Sequence, residues 1–130
     1  MNPETVYKIT LPWPPSLNGY WRSIPSGGKS TRQIISKKGR EFRQAVELRV
    51  SIARANGDIR EALTGRLKFS VYLYPPDRRK RDIANFSDKA ICDALTHAGI
   101  WMDDEQIDEH HAYRCKVEKP GKAVVEIEVL

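Results

Sequence analysis

Gly65-Arg66-Leu67-Lys68-Phe69-Ser70-Val71-Tyr72-Leu73-Tyr74-Pro75-Pro76 is the stretch from which the fold is read. Leu67, Phe69, Val71 and Leu73 occupy alternate positions, which share one face of a strand. Gly65 opens this strand, Leu67 to Tyr74, and Pro75-Pro76 ends it. Downstream, a helix is expected from near Asn85 to His97, with Gly99 as its stop. Ile107 to Val117 and Ala123 to Val129 read as two more strands, joined by a turn at Lys119-Pro120-Gly121. Upstream, Ser36 can cap a helix that runs to about Ala55 and ends at Asn56-Gly57. Its apolar face is read as Phe42, Ala45, Val46, Leu48, Ile52 and Ala53. Val6 to Leu11 makes a first short strand, stopped by Pro12, Pro14 and Pro15. Ser16 to Thr31, rich in Asn, Gly, Ser and Lys, reads as a loop holding two exposed aromatics, Tyr20 and Trp21. The element order is thus β-α-β-α-β-β: one α/β (α+β) domain over residues 1–130, a small mixed sheet with two helices packed on it.

At 130 residues and 14.9 kDa the chain is long enough to fold around its own core. No apolar run reaches the roughly 18 residues of a membrane span. Lys8 and Pro12 interrupt any signal-peptide core. Cys92 and Cys115 are too few and too far apart for a disulfide framework, so a reducing compartment, the cytoplasm of a bacterial or phage setting, is expected. The net charge of +5 conceals an asymmetry. Residues 1–81 hold 17 Lys or Arg against 6 Asp or Glu, and residues 82–130 hold 5 against 11. A basic surface beside a group of carboxylates suits nucleic acid: phosphates need the positive field, and their hydrolysis commonly uses metal-bound carboxylates. The bland alternative is a basic domain with a solvated charged face.

Three constellations carry chemistry. Arg78-Arg79-Lys80-Arg81 follows a strand end and can grip phosphates, with Asp82 next in line. Asp103-Asp104-Glu105 lies before a strand, and three adjacent carboxylates repel one another unless they are exposed or neutralised by a cation such as Mg²⁺. Lys89 is expected one helical turn beyond Asn85, with Asp88 bordering the same face, where its charge can steady a phosphate or a leaving oxygen. Asp93, a carboxylate in an apolar helical stretch, is expected to bond neighbouring polar groups. Ser26-Gly27-Gly28-Lys29-Ser30 lacks the spacing of a phosphate loop. His110-His111 with Cys115 offers metal-type ligands, but neighbouring residues on a strand point to opposite faces.

Two stretches together resemble the RusA-type Holliday junction resolvases, small phage- and prophage-associated endonucleases. One is Ile9-Thr10-Leu11-Pro12-Trp13-Pro14-Pro15-Ser16 with Asn18 and Tyr20. The other runs from Pro76 to Asp82 through Asn85, Lys89 and Asp93-Ala94-Leu95-Thr96 to Ala98-Gly99-Ile100-Trp101-Met102-Asp103-Asp104-Glu105-Gln106-Ile107. The resemblance implies a homodimer that binds four-way DNA junctions and makes paired nicks on opposed strands, with Mg²⁺, or Mn²⁺ in its place, and no small-molecule cofactor. It implies Asp82 and Asp104 as the acidic pair and Lys89 as the helix lysine. A two-fold dimer suits symmetric nicks, which need two related active sites.

The chain departs from the family at one position. The family motif reads Asp-x-Asp-Asn, whereas Asp82-Ile83-Ala84-Asn85 carries no second carboxylate. Asp88 or Asp103 can supply the missing ligand, or the protein is an impaired nuclease that still binds junctions. On the first view Asp82 and Asp104 hold the metal, and Lys89 adds fixed charge. Arg78, Arg79, Lys80 and Arg81, with Asn85 and the basic Lys37, Lys38 and Arg40, then track the DNA. Tyr20 and Trp21 stack on an unpaired base at the crossover or pack at the dimer interface, with packing preferred. A rival of another class is a small basic module for RNA or acidic protein, with Asp103-Asp104-Glu105 as a solvated turn.

Overall fold

The computed structural model describes residues 6–130. Its centre is strand β4 (Leu67–Tyr74), with Leu67, Phe69, Val71 and Leu73 fully buried as their alternation requires. β4 lies between β6 (Lys122–Val129), antiparallel to it, and β5 (Ile107–Arg114), parallel to it. β1 (Val6–Pro12) completes the four-stranded order β1-β6-β4-β5. A parallel neighbour needs a crossover. Residues 75–106 provide it, with helix α3 (Lys89–His97) on the way. Helix α2 (Lys37–Ala55) packs against α3 and β1. The mixed sheet with helices packed on it stands as expected, but the order is β-α-β-β-α-β-α-β-β, because a one-turn helix and a two-stranded ribbon add three elements between β1 and α2.

Four local expectations need correction. Ser16 to Thr31 is not a loop. Ser16 caps a one-turn helix, α1 (Leu17–Tyr20), by accepting from the Gly19 amide at 3.0 Å. The chain then pairs β2 (Trp21–Pro25) with β3 (Thr31–Ile35) in a separate two-stranded ribbon. Tyr20 is fully buried within its own chain rather than exposed, because its hydroxyl finds partners in Arg43 and Asp93. Second, the buried face of α2 is Gly39, Phe42, Val46, Val50 and Ala53. Leu48 and Ile52 lie outside it, 62% and 50% exposed. Third, the helix expected from Asn85 begins four residues later. Ile83–Asn85 is a separate 3-10 turn, so Asn85 and Lys89 are not one turn apart on a single helix. Fourth, β5 stops at Arg114 rather than Val117.

Ser36 caps α2 as expected, accepting from the Gly39 amide at 3.0 Å while its hydroxyl donates to the Gly19 carbonyl at 2.5 Å. It thus fastens two elements. Ser36→Ala is expected to lower stability by about 1 kcal/mol, the usual cost of a lost cap. An unchanged urea midpoint would contradict that role.

Candidate active site

The segment leaving β4 folds back on Asp77. Its carboxylate accepts from the Arg79 amide at 3.0 Å and pairs with the Arg81 guanidinium at 2.7 Å, contacts that hold its pKa below the usual carboxylate value. Arg81 turns inward, its side chain only 13% exposed, with the guanidinium 5.7 Å from the Trp13 ring centroid. Trp13 in turn rests on Phe86. Arg81 is therefore the internal brace of the basic run, whereas Arg78, Arg79 and Lys80 are exposed. Together they line an open hollow of about 580 Å³ with Asp82 and Arg114. Sequence reasoning missed Arg114, which donates to the Arg81 carbonyl at 2.5 Å. Only the parallel register, Leu73 beside Arg114, brings it to this end of the sheet.

The acidic triplet is divided by its partners. Glu105 pairs with Arg66 at 3.1 Å, and Arg66 also grips Asp108 at 2.7 Å. Asp103 caps the turn Asp104–Gln106, accepting from the Glu105 amide at 3.0 Å. The Gln106 side chain receives the Met102 and Asp103 amides. Gln106 also donates to the carbonyls of Leu63 and Gly65, which fixes the turn on the segment that leads into β4. Among the described residues Asp104 forms no ion pair of its own. Partial burial and the neighbouring carboxyls of Asp103 and Asp88 push its carboxyl up, and Lys89 opposes them. Asp88, Lys89, Asp103 and Asp104 thus share one neighbourhood at the start of α3.

Asp88 holds the N-cap position of α3, yet its side chain caps nothing; it is 57% exposed, with His110 Nδ1 at 3.8 Å. Cys92 is buried below, its thiol pushed well up by burial and by Asp88 and Asp104, and so is unreactive. Asp82 opens on the basic hollow, with Asn85 exposed in the next turn. Lys37, Lys38 and Arg40 are exposed on the first turn of α2. Asp93 bonds polar neighbours as expected, pairing with Arg43 at 2.7 Å and accepting from the Tyr20 hydroxyl. His110 stacks edge-on against Phe69, while His111 lies beside Glu109 on the opposite face.

The donor set suits a hard divalent cation in one respect. It offers carboxylate oxygens whose mutual repulsion a cation relieves, and Mg²⁺ commonly takes one or two carboxylates together with water and phosphate. Among the described residues no three His, Cys, Asp or Glu side chains are gathered closely enough to enclose an ion by themselves. The fit is with an open site shared with substrate, not a closed cage.

Residues 12–129 match the family described as Endodeoxyribonuclease RusA. The chain is 40% identical over 116 residues to the crossover junction endodeoxyribonuclease RusA of Shigella sonnei (strain Ss046), covering 89% of this chain and 88% of that protein. Over the same length and coverage it is 39% identical to the protein of that name from Escherichia coli (strain K12), and 37% to that of Enterobacteria phage 82.

Proposed function

The chain belongs to the RusA family of endodeoxyribonucleases, and on that premise we propose that it binds four-way DNA junctions as a homodimer and resolves them by paired, metal-dependent nicks. The observation that carries an active site is the crowding of the Asp104 carboxyl by the charges of Asp103 and Asp88, which Lys89 opposes, at the start of α3. Asp104 and Asp88 are the ligands this crowding favours for Mg²⁺ or Mn²⁺, with Asp103 beside them and Asp82 facing the phosphate-binding hollow. A divalent ion held there would supply an activated water and offset charge on the departing oxygen. Lys89, at the positive end of α3, adds fixed positive charge beside the acidic group. Asp103 caps the turn that carries Asp104 by accepting from the Glu105 amide, and the Gln106 anchor keeps that turn from swinging away.

Arg78, Arg79 and Lys80 bind the DNA backbone, while Arg81 holds their loop in shape. The two roles separate by substitution. Lys80→Gln is expected to weaken junction binding and to reduce the slope of log affinity against log salt by about 1. Arg81→Gln is expected to leave that slope unchanged and to lower the melting temperature through the lost Asp77 pairing and Trp13 contact. Titration by fluorescence anisotropy and thermal unfolding read the two effects, and interchange of the results would reverse the assignment.

A second reading has its own observation. Ala84 is exposed in the 3-10 turn where the family motif has its second carboxylate, which fits a junction binder with an impaired site. Cleavage of a labelled mobile four-way junction with Mg²⁺, Mn²⁺ or EDTA, against linear duplex of the same sequence, decides between the two. Metal-dependent symmetric nicks on the junction alone are expected. Tight junction binding without cleavage would establish the second reading. Equal affinity for junction and linear duplex at matched salt would overturn both.

A further inference from the structure

The β2–β3 ribbon is unexplained by the fold. Among the described residues it pairs only with itself, joins the main sheet nowhere, and contributes to the core chiefly through Trp21 and Ile35 at its root. From Arg22 to Gln33 every residue but the half-buried Ile24 is exposed. Such a ribbon is marginally stable alone in water, and its open edges invite unwanted pairing. A fold retains one most readily where the ribbon meets a partner.

We propose that the ribbon is a DNA-gripping arm that lies against one duplex limb of the junction. This rests on the nuclease reading above and extends it to a surface outside the active site. Charge selects the partner. Residues 21–40 contain Arg22, Lys29, Arg32, Lys37, Lys38 and Arg40 and not one Asp or Glu. Register sets the face. Arg22 stands opposite Ile34 and Ile24 opposite Arg32, so both arginines project from the same side of the ribbon. Shape agrees, because a two-stranded ribbon is of a size that the major groove admits. At the tip Gly27 and Gly28 have φ of 105° and 56° and open space where a side chain would stand, which leaves a slim end carrying Lys29.

The root of the arm is rigid, and it is fastened to the helix that bears Lys89. The Ser36 amide donates to the Tyr20 carbonyl at 2.9 Å. A side chain at Gly39 would meet that same carbonyl at 2.5 Å and Ile35 at 2.6 Å, so α2 can seat against the root only with glycine there. Tyr20 packs edge-on against Trp21 and joins Arg43 on Asp93. Asp93 lies one turn beyond Lys89 on α3 and so on the same side of that helix. A limb held by the arm is thereby referenced to α3, whose first turn carries Lys89, through the Tyr20–Arg43–Asp93 contacts.

The test uses the full chain with a labelled four-way junction in EDTA, titrated by anisotropy over a series of salt concentrations. The double variant Arg22→Gln/Arg32→Gln is expected to lower the salt slope by about 2, as two lost phosphate contacts require. Arg22→Lys/Arg32→Lys is expected to keep it within half a unit. Both guanidiniums are exposed, so the melting temperature should not move. Should the double variant lose its fold, Lys29→Gln at the unpacked tip gives the same reading with a loss of about 1. A slope and affinity equal to the unaltered protein's in these variants would overturn the arm. Failure of the nuclease reading shows separately, in the unaltered protein, as absence of junction preference.

Discussion

Asp104→Asn is expected to lower junction cleavage by about 100-fold or more, the scale on which loss of one preorganised charge-stabilising group is felt. Junction binding should persist. The substitution keeps shape and removes charge from a carboxyl whose pKa is raised chiefly by burial and Asp103. The sign of the stability effect follows from that shift. A carboxyl raised in the folded state opposes folding when ionised, so its contribution improves as pH falls through its folded value. The neutral amide should therefore leave the melting temperature at neutral pH equal or higher. Lost cleavage with a retained or raised melting temperature places the defect in chemistry. Asp103→Asn should act more weakly on cleavage, since that side chain already spends one oxygen on the Glu105 amide. Cleavage by Asp104→Asn within threefold of the unaltered protein would remove Asp104 from the site.

The alternation in Leu67–Tyr74, the Ser36 cap and the Gly99 stop were legible because each is a local signal. The β2–β3 ribbon was hidden because its residues are those of a loop: few are apolar, and pairing alone makes them strands. Tyr20 was misread for a related reason, since nothing near it in sequence indicates Arg43 and Asp93, 23 and 73 residues away. The late start of α3 reflects competition at Asn85, whose amide closes a short turn onto the Asp82 carbonyl. At the site, the residue types were legible and their division of labour was not. Arg78-Arg79-Lys80-Arg81 reads as four equal cations, but Trp13 and Asp77 claim Arg81. Asp103-Asp104-Glu105 reads as one acidic turn, but Arg66 claims Glu105 and leaves Asp104 facing Asp88 and Lys89. Arg114 lay beyond reach of any reading that did not know β5 runs parallel to β4.

The second large effect concerns the carboxylate missing at Ala84. Asp88→Asn is expected to lower cleavage by about 100-fold, comparable to Asp104→Asn. Two features of Asp88 support this. Its charge acts on both Asp104 and Cys92, and it occupies an N-cap position without spending its oxygens on the helix. Because no cap bond is lost, and Asn is itself a good N-cap residue, stability should stay within about 0.5 kcal/mol. Ala84→Asp in the unaltered background should then change cleavage less than threefold, because the role is already filled. In the Asp88→Asn background the same substitution should recover a measurable part of the loss. The opposite pattern, a large gain from Ala84→Asp alone and no loss from Asp88→Asn, would show the site to be damaged rather than rearranged. Single-turnover rates on one junction with saturating metal separate these cases, since a ligand change that only weakens metal affinity is then largely masked, whereas a change in the chemical step remains visible.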